Sequence, residues 1–364
     1  MAQLFVTGIS MRLAPIFALS TQALRAARAR LAGFALLGAA ACVSTTAAVA
    51  DTVDAFGGEA RQVSSPVIAS APQAPQRYEA PSFTAGRRNL GWAHMFTNDY
   101  LGDRKDRWQT GSYMVSVLRG PHWKGALPEV PFEIMEYRMS FAITSPTDLS
   151  RAPDWDRRYA GRAQFMAATH WQAHALEAMA GIGLTSTGED NGVGQLHNTL
   201  HEWVSAPAVR VREQQIGNGV HPFITGEIGH EFALGASVVR VFSAARAGDE
   251  TWMRAGFDMQ FGARELGALW VRDEITGHRV VGISGNSGPG AWFTIGADIG
   301  HVWSSVYLPE EEIELSETRA RLRAGVNIRH GDMGIFYGLT YLSKEFEAQP
   351  EGQVLGSLRL RLNF

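Results

Sequence analysis

The chain of 364 residues holds a single cysteine, Cys42. That excludes a disulfide scaffold and any cysteine-rich metal cluster. There is no basic excess: 33 Lys+Arg stand against 36 Asp+Glu, for a net charge of −3. A general nucleic-acid binder would carry a basic footprint, so none is expected here. Charged residues make only 19% of the chain, below the usual quarter for soluble domains. Long apolar runs are missing as well. The longest spans Leu31 to Val43, about 13 residues where a spanning helix needs roughly 20. No G-x-S-x-G element is present, so a serine nucleophile elbow is not expected. What is abundant is glycine, 39 residues, and apolar residues at 45%. A mean hydropathy of −0.10 suits a soluble protein. It suits a membrane β-barrel equally, because barrel strands show lipid only every second side chain.

The first 50 residues contain Arg12, Arg25, Arg28 and Arg30 and no acidic residue. The short apolar run follows, then Ala48-Val49-Ala50. A positive n-region, a short h-region and an A-x-A end describe a secretory signal over 1–50, cut before Asp51. Met11 is an alternative start. Cys42 is disfavoured as a lipoprotein acceptor because Ala39 sits where leucine is usual. Cleavage would leave a cysteine-free mature chain, which fits an oxidising compartment. Residues 51–88, with Ser65-Pro66, Ala71-Pro72, Ala74-Pro75 and Ala80-Pro81, read as a flexible lead-in. The folded part is expected over 89–364.

From Leu90 onward the pattern has period two. Met253, Ala255, Phe257, Met259 and Phe261 alternate with Arg254, Gly256, Asp258 and Gln260. Tyr137–Ile143, Phe293–Ile299 and Arg321–Arg329 alternate in the same way. Such segments are half-buried strands, about 11 to 13 of them. A sandwich would turn the apolar faces inward. An outer-membrane barrel turns them to lipid and keeps Arg, Asp, Gln and Gly inside. The last residues, Val354 to Phe364, alternate and end on Phe364, resembling the signal by which barrel assembly machinery recognises its substrates. The fold class is therefore all-β, a transmembrane antiparallel up-and-down barrel. One stretch breaks the pattern: over 191–204, Leu196, Leu200 and Trp203 fall at helical spacing, and Pro207 ends the segment.

Three clusters carry chemistry. His197 and His201 stand at i and i+4, on one helical face. Such a pair reads as a hydrogen-bonded surface pair, as a general base, or as metal ligands without the H-E-x-x-H glutamate. Asn98, Asp99, Asp103, Asp106 and Thr110 offer hard oxygen donors suited to calcium, or a merely solvated acidic loop. Ser145-Pro146 with Asp156-Arg157-Arg158-Tyr159-Ala160-Gly161 offers paired arginines for phosphate, or a loop ion pair. Gly285 to Gly290 lacks a strand-to-helix context and reads as a turn.

In this order on an exported β-chain, the clusters resemble the outer-membrane lipid A 3′-O-deacylase family. The residues that carry the likeness are Asn98-Asp99, Asp106-Arg107-Trp108-Gln109-Thr110, the Ser145-to-Gly161 block, His201, and Gln215-Ile216-Gly217-Asn218. The resemblance implies a barrel of about twelve strands with its site in the wall. It implies Ca2+ at Asp99 and Thr110, catalysis by His201 with Asn98, Asp99 and Thr110, and lipopolysaccharide as substrate. Arg157 and Arg158 would face the anionic headgroup, and His201 would activate water for ester hydrolysis. The chain departs from the family pattern at His197, where glutamine is usual, at Pro207, where some members have glutamate, and at Val209–Arg212. Competing expectations are a silent barrel (pore or structural protein), a phospholipase-type barrel and a soluble exported sandwich.

Overall fold

A computed structural model describes residues 86–362, apart from 205–207, 287–288 and 332. The expected signal segment, nearly all of the lead-in, Pro207 and Phe364 lie outside the described residues.

Twelve strands close into an antiparallel barrel in which sequence neighbours pair. They are β1 (Arg88–Asn98), β2 (Trp108–Gly120), β3 (Ile134–Ser145), β4 (Ala160–Ala173), β5 (Leu176–Thr187), β6 (Gly219–Leu234), β7 (Ser237–Ala247), β8 (Glu250–Gly262), β11 (Gly290–Ser305), β12 (Thr318–His330), β13 (Met333–Leu342) and β14 (Gln353–Leu362). β1 meets β14 to close the ring, with Phe96 opposite Leu358 and Asn98 opposite Gly356. The long connections 146–159, 188–218 and 306–317 gather at one rim, here the upper. The tight turns 174–175 and 235–236 lie at the other, together with the connections 121–133 and 263–289.

Exposure follows the period-two pattern. Phe165, Ile182, Phe257, Phe293, Ile295, Leu322 and Leu358 stand exposed on the outer wall. Glu136, Arg138, Arg240, Asp258, Asp298, Arg321 and Arg323 are buried inside. A globular sandwich would show the reverse, so the alternation is that of a barrel in lipid.

The lumen is filled. β9 (Leu269–Arg272) and β10 (Arg279–Ile283) form a hairpin between β8 and β11. Its Leu269, Val271, Val280 and Ile283 pack on the inner faces of β1–β3 and β13, against Met95, Met114, Leu118, Ile134 and Phe336. Gly91 permits the contact, because a Cβ there would lie 2.2 Å from the Gly282 carbonyl oxygen. The opposite side of the hairpin is ionic. Arg272 reaches Glu227 at 2.7 Å and Asp258 at 2.8 Å, while Arg323 bridges Asp258 and Asp298 at 2.6 Å each. Charges that water would solvate in an open channel are instead paired with one another, as buried charges require.

Candidate active site in the barrel wall

The site forms at the upper rim, where β1 to β4 end beneath helix α1 (Val193–Val204). β1 stops at Asn98, whose Oδ1 accepts the Tyr100 N–H at 2.8 Å and starts a 3-10 turn, Asp99–Leu101. Asp99 is buried and its Oδ2 accepts the Arg107 N–H at 2.9 Å. Burial pushes its carboxyl up to about 8; the neighbouring Asp106 and Asp103 add to the rise, and the N–H groups of Arg107 and Tyr100 oppose it.

The chain returns through Arg107, whose guanidinium lies 3.8 Å from the centre of the Trp108 ring. The Trp108 indole donates to Asp156 Oδ1 at 3.3 Å. Asp156 Oδ2 accepts from the backbone and hydroxyl of Thr147, at 2.7 and 2.8 Å, which shapes the β3–β4 loop. Thr110 Oγ1 lies 2.6 Å from Ser145 Oγ, and the Thr110 hydroxyl also bonds the Asp106 carboxyl.

Helix α1 lies against this wall because Gly161 lets it. A Cβ at Gly161 would stand 3.1 Å from Val193 Cβ and 3.3 Å from the Gly194 nitrogen. Asn191 adds a clamp, donating to the carbonyls of Gly161 at 2.8 Å and Ser186 at 3.0 Å. The helix turns its histidines inward and its apolar residues out: Leu196, Leu200 and Trp203 are exposed, Trp203 at 73%. That orientation would be costly in water and is natural where the outer wall meets lipid.

Beneath the helix, His201 Nε2 lies 3.3 Å from Asp106 Oδ2. His197 meets His201 edge-on with ring centres 4.4 Å apart, and its Nδ1 lies 3.1 Å from the Tyr159 hydroxyl. Burial lowers the His197 imidazole to about 3, with His201 and Arg212 adding to the fall. Burial raises the Asp106 carboxyl; His201 and the Thr110 hydroxyl oppose that rise. Asp106 Oδ1 is buried without a hydrogen-bond partner. Donor atoms of Asp106, His197 and His201 all fall within 4.8 Å of one another.

Of the residues expected from sequence, His201, Thr110 and Asp99 converge on Asp106. Asn98 is committed to its turn. Arg157 is buried against Glu345, and the half-exposed Arg158 pairs with Glu312. Gln215 and Asn218 belong to the return segment. Ile216 donates its N–H to the Tyr159 carbonyl at 2.8 Å, and Asn218 bonds Asp190 at 2.8 Å. Sequence reasoning gave no role to Tyr159 or to Asp106 as the partner of His201. The signal for Asp106 was its position two residues before the inward-turning Trp108, the first residue of β2.

A closed barrel with lipid-facing apolar side chains and a histidine–carboxylate site set into its wall defines an integral outer-membrane protein. Residues 62–364 match the family described as "Outer membrane protein LpxR", and the chain belongs to that family. Its fold is similar to that of LpxR from Salmonella typhimurium, with a TM-score of 0.62 and 14% identity over 75% of this chain and 100% of that one. A more distant likeness is to the beta domain of the Bordetella autotransporter Brka, with a TM-score of 0.38 and 10% identity over 77% of this chain and 100% of the other. No curated protein matches the sequence.

Proposed function

We propose that the chain is an ester hydrolase that removes the 3′-linked acyloxyacyl chain from lipid A of lipopolysaccharide, with His201 as general base. The observation that carries the reading is the His201–Asp106 pair held between the wall and a helix whose outer face is apolar. With the rim that carries 188–218 turned outward, the pair would sit at the depth of the outer leaflet. There an acyl chain can lie along Leu196, Leu200 and Trp203 while its ester meets His201. His201 takes a proton from water as that water attacks the ester carbonyl, and Asp106 stabilises the imidazolium that forms. Tyr159 fixes the ring of His197 beneath it.

Calcium suits the hard oxygens of Asp99, Asp106 and Thr110. Asp106 Oδ1 is buried without a hydrogen-bond partner, and a bound cation would give it a partner. When bound, the ion supplies positive charge to the carbonyl oxygen as it becomes an oxyanion. Arg158, half-exposed and paired with Glu312, would exchange that partner for a headgroup phosphate, whereas Arg157 is buried against Glu345. The luminal hairpin speaks against a pore.

The test is mass spectrometry of lipid A from cells carrying an empty plasmid, the intact gene, or a His201→Ala copy. Folded barrel is confirmed in the outer membrane for both protein-bearing strains. Loss of the 3′ acyloxyacyl group with the intact gene alone is the expected result. Unchanged lipid A beside a folded intact barrel overturns the reading.

A further inference from the structure

We propose that Asp106, His197 and His201 form a binding site for a divalent first-row transition metal of the zinc type, which shares Asp106 with the calcium oxygens but adds two imidazole nitrogens. Two imidazole nitrogens and one carboxylate are the donors of zinc and related ions, not of calcium, which takes oxygen. The three side chains already present donor atoms within 4.8 Å of one another.

The surroundings are those of a ligand set. Nδ1 of His197 faces the Tyr159 hydroxyl at 3.1 Å, so its Nε2 is the nitrogen turned away from that partner. A metal-bound histidine is held in this way by a hydrogen bond on its other nitrogen. Asp106 is oriented by the Thr110 hydroxyl and keeps Oδ1 buried without a donor. Asp99 and Asp103 are acidic neighbours of Asp106. Arg107 pairs with Asp103 and Glu351, and Arg212 is an opposing charge near His197. The histidines sit one helical turn apart on the same face of α1, so rotation of their side chains can bring both nitrogens to one ion.

The site shares Asp106 and His201 with the proposed hydrolase chemistry. Resting on that reading, zinc would withdraw Asp106 and His201 from that chemistry and inhibit the enzyme. Binding itself does not depend on that reading.

The test is equilibrium zinc binding to the purified full barrel in detergent, by competition with a chromophoric chelator, alongside a separate calcium titration. One zinc per wild-type barrel is expected. His197→Gln, His201→Ala and Asp106→Asn each lower zinc affinity by at least ~100-fold, the upper range of what even outer-shell changes cost, and Tyr159→Phe lowers it by ~10-fold or more. His197→Gln leaves calcium affinity within severalfold of wild type. Heat-modifiable gel mobility establishes that each variant is folded. No zinc on the wild type, equal affinity in the folded His197 and His201 variants, or an equal fall of zinc and calcium affinity in His197→Gln overturns the proposal. Lipid A spectra separate the two readings. Zinc binding with unchanged lipid A removes the hydrolase and keeps the site, and deacylation without zinc binding does the opposite.

Discussion

Replacing Asp99 by asparagine should stabilise the metal-free barrel, and by an amount that depends on pH. The Asp99 carboxyl rises from an ordinary 3.8 to about 8 in the folded protein, chiefly through burial. Between those values the folded state holds a proton that the unfolded chain has released, so stability falls as pH rises toward 8. At 1.36 kcal/mol per unit, the ionisation penalty reaches about 4 kcal/mol at pH 7 as an upper bound. Between pH 7 and pH 8 the wild type should lose about 1 kcal/mol. His197, whose imidazole is lowered from 6.5 to about 3, acts in the opposite direction, but below about pH 6.5, outside that window. The assay is reversible urea unfolding in lipid vesicles with a strong chelator, followed by tryptophan fluorescence. Asp99→Asn should remove the Asp99 contribution to the pH 7–8 slope and be the more stable protein in chelator. Saturating calcium should restore the wild type and do little for the variant, because an ion bound only by the folded state adds stability by mass action. A wild type with no slope over that window, or a variant with an undiminished one, refutes the burial of an ionisable Asp99 described here.

Gly161→Val should push α1 off the wall. Overpacking of this kind costs roughly 1–3 kcal/mol, so the barrel persists, while lipid A deacylation falls by more than ~10-fold through misplacement of His201. Asp106→Asn should cut deacylation by roughly 10²–10⁴-fold, the span of general-base catalysis, with outer-membrane levels unchanged; activity near wild type would remove Asp106 from the mechanism. Arg272→Met strands part of the charge on Glu227 and Asp258, which keep Arg240 and Arg323. The cost is therefore placed at about 3 kcal/mol, the low end for a broken buried pair. Planar-bilayer recordings should show new conductance as the hairpin loosens, and a variant as silent and stable as wild type would show that the ionic side does not anchor it.

The wall strands were legible because lipid and a polar lumen impose a two-residue period on every one of them, as in Met253–Phe261 and Leu322–Ile328. The helix was legible too, from Leu196, Leu200 and Trp203. Its orientation was not: the same spacing serves a core face in water or a lipid face in a membrane, and only contact with Gly161 settled which. The luminal hairpin went unread. β9 and β10 are short, and their packing partners Met95, Met114 and Phe336 come from strands distant in the chain.

For the site, sequence alone determined which residue types were available: His197 and His201 one turn apart, acidic oxygens around Asp99 and Asp106, and hydroxyls at Thr110 and Ser145. Local spacing carries that much, because i and i+4 share a helical face wherever the helix goes. Tertiary structure decided the pairing of His201 with Asp106, the union of Tyr159 with His197, and the diversion of Arg157 to Glu345. Those contacts join loops separated by many residues, and their distances are set by barrel closure and by how closely α1 approaches the wall.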